Sequence, residues 1–342
     1  MCIFELGSVR GGHRGDGRGL RNRGGSMGRN LRETWEQGDK RIGLALGSGG
    51  ARGWAHLGAL QAFDEAGIRP EIVTGTSMGA IVGAAYACGH WRELTEAARN
   101  LTLQQVLPYF TDLSLGGSGL ISGRKIMNRL RSFIDDIAVE NLPMRYAAIA
   151  TDLSSGSQIG LDKGPLLRAV RASMSIPGIF KPVVIGQRVL VDGALVNPVP
   201  VSVAHELGAE LVIAVDVNHD PIGSRRRAEQ RERQQGNTST SPSKEGSMRH
   251  RLQHRVEQLM SRGDKTRPPG ILSIMADSLS IMETRIGEAL LKAHPPEILI
   301  RPDVAYLGVE EFHRAAEGIA EGYRVAVEAL ASAGMEWPPH SP

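Results

Sequence analysis

The chain has only two cysteines in 342 residues, Cys2 and Cys88. Neither falls in a metal-ligand spacing, and Cys2 belongs to a loose amino-terminal stretch. No disulfide framework, metal centre or cofactor is therefore expected. No run of 18 apolar residues occurs, so no membrane-spanning helix is expected. The amino terminus lacks the long apolar core of a signal peptide. These absences point to the cytoplasm, with peripheral contact at the inner face of the membrane left open. Charge of one sign is also scarce. There are 40 Lys and Arg against 37 Asp and Glu, a formal net charge of +3. That is too small over this length to argue for nucleic-acid binding.

What is present suits a globular protein: 41% of residues are hydrophobic and 23% charged. Residues 1–40 are rich in Gly and Arg and read as a disordered basic tail. From residue 41 onward, short apolar runs alternate with helical patterns. Strands are expected at 42–46, 71–74, 146–150, 210–217 and 297–300. Helices are expected at 54–67, 78–88, 165–173, 200–207 and 309–333, and a hairpin at 183–191. Alternating strands and helices imply an α/β fold with a mostly parallel central sheet flanked by helices. The core spans 41–218 and is followed by a basic low-complexity insertion at 219–270. Residues 271–335 return to helix and strand and complete the same domain. The insertion reads as a solvated surface segment, or else as a basic segment held near anionic phospholipid.

Three local patterns carry chemistry. Gly75-Thr76-Ser77-Met78-Gly79 is a G-x-S-x-G that follows an expected strand and opens an expected helix. That is the context of a nucleophile elbow, and Ser77 is its candidate nucleophile. The competing reading is a serine that caps a tight strand-to-helix turn. Gly47-Ser48-Gly49-Gly50-Ala51-Arg52-Gly53 also joins a strand to a helix. A dinucleotide fingerprint fails there because its third glycine falls on Arg52. A P-loop fails for want of Gly-Lys-Ser/Thr. Backbone N–H groups at a helix start would instead form an oxyanion hole.

A serine also needs a base. His56 and His205 lie within expected helices, and His219 opens the insertion. Three aspartates follow strands, namely Asp152, Asp192 and Asp216. The residues alone leave all three open. Asp192-Gly193 is the most suggestive, because the glycine permits a tight turn that presents the carboxylate.

Together, Gly-Ser-Gly-Gly-Ala-Arg-Gly at 47–53, Gly-Thr-Ser-Met-Gly at 75–79 and Asp-Gly-Ala at 192–194 resemble the patatin-like phospholipases. Ala150-Thr-Asp-Leu153 and the stretch from Ala172 to Phe180 are similar to further stretches of the bacterial members. The resemblance covers about 41–218 and resumes near 271–333. It implies a three-layer fold and a serine acyl hydrolase with a Ser–Asp dyad and no histidine. By position, Ser77 would be the nucleophile and Asp192 the base, with Gly75, Gly79 and Gly193 as motif glycines. The amides of Gly49, Gly50 and Ala51 would form the oxyanion hole. Arg52 would hold an anionic head group or orient the loop. Ser48 departs from the family pattern, where many members have Gly. A lipid ester is the implied substrate, and residues 101–134, where such folds carry a cap, would supply either helix-packing surface or an apolar channel or lid. A lipid-binding regulator with little turnover is the alternative.

Overall fold

A computed structural model describes residues 40–110, 119–219 and 271–335. The tail expected at 1–40 and the insertion expected at 219–270 lie outside these, apart from their edge residues. The chain begins with β1 (Ile42–Leu46), a glycine loop ending in a 3₁₀ turn (Gly50–Trp54), α1 (Ala55–Glu65), β2 (Ile72–Thr76) and α2 (Met78–Ala87). Next come α3 (Trp91–Arg99), α4 (Leu103–Phe110), β3 (Gly119–Ile121), α5 (Arg124–Leu130), β4 (Arg145–Asp152), β5 (Gln158–Leu161) and α6 (Leu166–Ser173). The chain continues through β6 (Gly178–Phe180), β7 (Val183–Ile185), β8 (Arg188–Asp192), α7 (Val201–Glu206) and β9 (Leu211–Val215). It closes with α8 (Ile271–Ala293), β10 (Ile298–Ile300) and α9 (Ala315–Ser332).

The main sheet runs β10-β9-β1-β2-β4-β8-β7, with β5 paired to β4. The pairs from β10 to β4 are all parallel, whereas β8, β7 and β5 pair antiparallel. The expected mostly parallel sheet is therefore present, with an antiparallel edge. Strands β1, β2 and β9 are buried along nearly their whole length, as both faces are covered. Side-chain alternation divides the core. Leu44 and Leu46 face one hydrophobic layer with Leu57, Leu60, Phe63 and Ile319, and Ala45 faces another with Val201, Ala204 and Leu291.

Some elements differ from expectation. Val183–Ile185 and Arg188–Asp192 form the expected hairpin, but the helix expected at 309–333 begins only at Ala315 after a 3₁₀ turn at Phe312–Arg314. Residues 308–311 stay irregular because other bonds claim their polar groups. The Glu311 carboxylate accepts from the Gly308 amide at 2.8 Å, and Val309 O accepts from the Ala51 amide at 2.9 Å. The small parallel pair β3–β6 was not anticipated. Its three-residue strands are too short for a period to register.

Helix α9 lies against α1 at a crossing closed by glycine. A Cβ on Gly58 would stand 1.9 Å from Ile319 O, and one on Gly322 would stand 2.0 Å from Ala55 O. Both obstacles are backbone, which cannot rotate away. Gly58→Ala should therefore push the helices apart and lower stability by about 3 kcal/mol. Urea unfolding checks this, with the midpoint falling at constant slope.

Candidate active site

Strands β1 and β2 are parallel neighbours, with Leu46 opposite Gly75. Their carboxyl ends therefore deliver the glycine loop and Ser77 side by side, at the sheet edge where α/β sites form. Ser77 has φ 55° and is the one non-glycine residue with positive φ among those described. Such a conformation costs about 1–3 kcal/mol. Close packing holds it. A Cβ on Gly75 would lie 2.4 Å from Gly79 O, and one on Gly79 would lie 2.1 Å from Leu46 O. Only glycine lets the strand end, the helix start and β1 approach this closely. The Ser77 amide donates to Ser173 Oγ at 2.9 Å.

The Ser77 hydroxyl donates to Asp192 Oδ2 at 2.7 Å. Asp192 ends β8, and its Oδ1 accepts from the Ala194 amide at 2.9 Å. Its own amide donates to Ser175 O at 2.9 Å. Gly193 sits against Ile149, with the Ile149 carbonyl 2.3 Å from where a Cβ would be. Of the three aspartates left open by sequence, only Asp192 meets Ser77. Asp152 caps the Ser154 amide, and Asp216 accepts from the Asn218 amide and pairs with Arg301. The histidines are placed elsewhere. His56 Nε2 bonds Gly47 O at 2.8 Å, and burial pushes its pKa down to about 4. His205 bonds Ala209 O, and His219 bonds Asp216 O.

Burial pushes the Asp192 carboxyl up to about 6, against the opposing pull of its bonds from Ser77 and Ala194. Desolvation disfavours the charged form, and two hydrogen bonds recover only part of that loss.

Ser77 and Asp192 open on a cavity of about 260 Å³. Its walls are largely apolar, with Leu94, Leu101, Val106, Ile126, Leu130 and Phe133 among them. The segment expected to form a channel thus lines the cavity through α4 and α5, while residues 111–118 lie outside those described. Gly49 and Gly50 also line it.

The role expected for Ala51 is corrected. Its amide donates to Val309 O, so it is not free to meet an oxyanion. Arg52 is also corrected as a head-group ligand. It is fully buried. Its Nε donates to Leu307 O at 2.8 Å, and a terminal nitrogen donates to Asn218 Oδ1 and contacts Ser280 Oγ. These bonds tie the glycine loop to the segment before α9, to the end of the β9 segment and to α8, which is the loop-orienting alternative.

Sequence reasoning missed four participants. Ser173 and Ser175 sit in a stretch noted only for its resemblance. Glu283 and Asn218 reach the site from segments that carry no motif.

The fold and site are of the nucleophile-elbow form, a strained serine between strand and helix beside a glycine loop. The patatin-like phospholipase family model matches residues 44–205. An uncharacterized NTE family protein of Mycobacterium tuberculosis is 32% identical over 329 residues, covering 85% of this chain and 91% of that protein. Neuropathy target esterase sws of Drosophila melanogaster is 36% identical over 181 residues, covering 52% of this chain and 13% of that protein. Human patatin-like phospholipase domain-containing protein 6 is 34% identical over 183 residues, again covering 52% and 13%. The chain belongs to the patatin-like phospholipase family.

Two predictions follow from the burial pattern. The Asp192 carboxyl is raised in the fold, so stability is greatest while it is protonated. Stability then falls as pH rises from the unfolded value of 3.8 through about 6. Asp192→Asn should thus be more stable than wild type at pH 8 by up to about 3 kcal/mol, and nearly equal at pH 4. Denaturant titrations at the two pH values check it. Arg52→Ala should leave Leu307 O and Asn218 Oδ1 without this donor and lower stability by about 2–3 kcal/mol. Unchanged stability with a raised KM for anionic lipids alone would restore the head-group role.

Proposed function

We propose that the protein is a serine acyl hydrolase acting on lipid esters, of phospholipid, lysophospholipid or simpler lipid type. One observation carries this reading: the strained Ser77 donates its hydroxyl proton toward Asp192 Oδ2 at 2.7 Å on the wall of an apolar cavity. Family membership supports the same chemistry.

In this mechanism Asp192 Oδ2 takes the Ser77 proton as Oγ bonds to the ester carbonyl carbon. The carbonyl oxygen becomes the oxyanion. It is met by the amides of Gly49 and Gly50 and by the positive end of α2. The intermediate collapses by breaking the bond to the leaving alcohol, which receives the proton from Asp192. Water then attacks the acyl-enzyme, Asp192 again accepts a proton, and the fatty acid leaves as Ser77 is restored. The acyl chain occupies the wall built by α3, α4 and α5. Asp192 is a better base here than in water because its pKa is raised, and the short Ser77 bond orients it. No helix among the described residues is long and apolar enough to cross a membrane. On the same reading, the protein meets its lipid substrate as a peripheral protein at the cytoplasmic face of a membrane.

Hydrolysis of a p-nitrophenyl ester and of mixed phospholipid vesicles tests this. Ser77→Ala and Asp192→Asn should each lower kcat by about 10⁴-fold or more while remaining folded. A fluorophosphonate probe should label wild type and not Ser77→Ala. In wild type, kcat/KM should rise with pH through about 6 as Asp192 ionises. A folded wild type that neither turns over nor labels would bring forward the lipid-binding regulator.

A further inference from the structure

Glu283, on α8, is a second carboxyl group at the cavity that holds Ser77 and Asp192. The mechanism above does not use it. Its Oε2 accepts from Ser48 Oγ at 3.2 Å and from Asn218 Nδ2 at 3.1 Å. Ser48 belongs to the glycine loop. Asn218 also accepts from Arg52 of that loop, and from Ser280 one turn before Glu283. Thr284 on the same helix donates to Asn218 O at 2.9 Å. One face of α8 is thus bonded to the loop whose amides face the reacting carbonyl. Glu283 also lines a smaller pocket, beside Asp216, His219 and Glu288. Ser48 and Glu283 line both cavities.

We propose that Glu283 is a positioning residue for hydrolysis at Ser77, fastening the glycine loop to α8 through Ser48 and Asn218 so that the Gly49 and Gly50 amides stay aimed at the oxyanion. This rests on the reading of Ser77 as nucleophile. Glu283 performs the task as a neutral acid. Burial first, and the Asp192 carboxylate second, push its pKa up to about 8, against the pull of Ser48, Arg52 and Asn218. The charged groups around it are mostly of its own sign. Asp192 faces it from β8, Glu310 from the segment before α9, Asp216 from the segment after β9, and Glu288 from its own helix. Arg52, Arg129, Tyr109 and His219 are the cationic or titratable exceptions. The Arg52 guanidinium is already shared with Leu307 and Asn218, and Asp216 is paired with Arg301. When Glu283 ionises, it adds a negative charge beside the one on Asp192 and beside the developing oxyanion. That charge opposes the transition state more than the ground state.

The reaction should then follow a bell-shaped pH profile, with kcat/KM rising through about 6 and falling through about 8. The two limbs belong to a coupled pair of carboxyls. Glu283→Gln keeps an acceptor for Ser48 and Asn218 but cannot ionise. It should preserve kcat at pH 7 within about threefold and abolish the alkaline limb. Glu283→Ala loses both bonds and should lower kcat about tenfold across the range, with KM little changed. Infrared difference spectra between pH 7 and pH 9.5 supply a readout independent of turnover. A protonated-carboxyl band should vanish at high pH in wild type and be missing from Glu283→Gln. An alkaline limb that survives in Glu283→Gln, a Glu283→Ala that matches wild type, or no such band would overturn the proposal. A wild type without Ser77-dependent turnover would instead sink the hydrolase reading, and the infrared band would then decide the state of Glu283 by itself.

Discussion

The backbone of Ser77 is the constraint on which the site depends. A serine at φ 55° does not hold that conformation unaided. It is held because β2 enters it within a parallel sheet, α2 leaves it, and Gly75 and Gly79 let the two meet at backbone distance. The Ser173 hydroxyl takes the Ser77 amide, and the Ser175 carbonyl takes the Asp192 amide. The end of α6 and the turn after it therefore locate both partners of the proposed dyad. Strain in the elbow is offset by the packing of the whole sheet edge, and the hydroxyl is left pointing at Asp192.

The electrostatics of the cavity follow from that geometry. Apolar walls suited to an acyl chain also remove water from Asp192, and burial raises its pKa toward neutrality. The same desolvation acts on Glu283, which is close enough to Asp192 that the two charges oppose each other. A site with two carboxyls in an apolar cavity favours one charge over two, so their protonation states separate. Arg52, which sequence position alone presented as an anion ligand, is instead the buried cation that ties loop to helix. Its guanidinium is fully buried and donates to Leu307 O and Asn218 Oδ1 within the protein, so it offers little to a substrate phosphate.

The legible part of this protein was local. Strand–loop–helix alternation, the G-x-S-x-G elbow and the glycine-rich turn lie within short windows whose periodicity and turn chemistry act on neighbouring residues. Ser77 was therefore recognisable before any fold was known, and the parallel sheet followed from the order of elements. Resemblance in three ordered motifs singled out Asp192, which composition and spacing had left beside Asp152 and Asp216.

Other features needed the folded chain. Asp192 is 115 residues from Ser77, and no periodicity links them; the antiparallel pairing of β8 with β4 carries it to the elbow. The loss of Ala51 as an oxyanion donor depends on Val309, more than 250 residues away, whose carbonyl claims its amide. Glu283 meets Ser48 across 235 residues from a helix that carries no motif. The sequence by itself determined the main strands and helices of the sheet and the elbow, because these depend on contacts between near neighbours. The tertiary structure brought Asp192 to the serine, claimed the Ala51 amide for Val309 and set what charge the cavity can hold, because those depend on distances and burial that long-range packing sets.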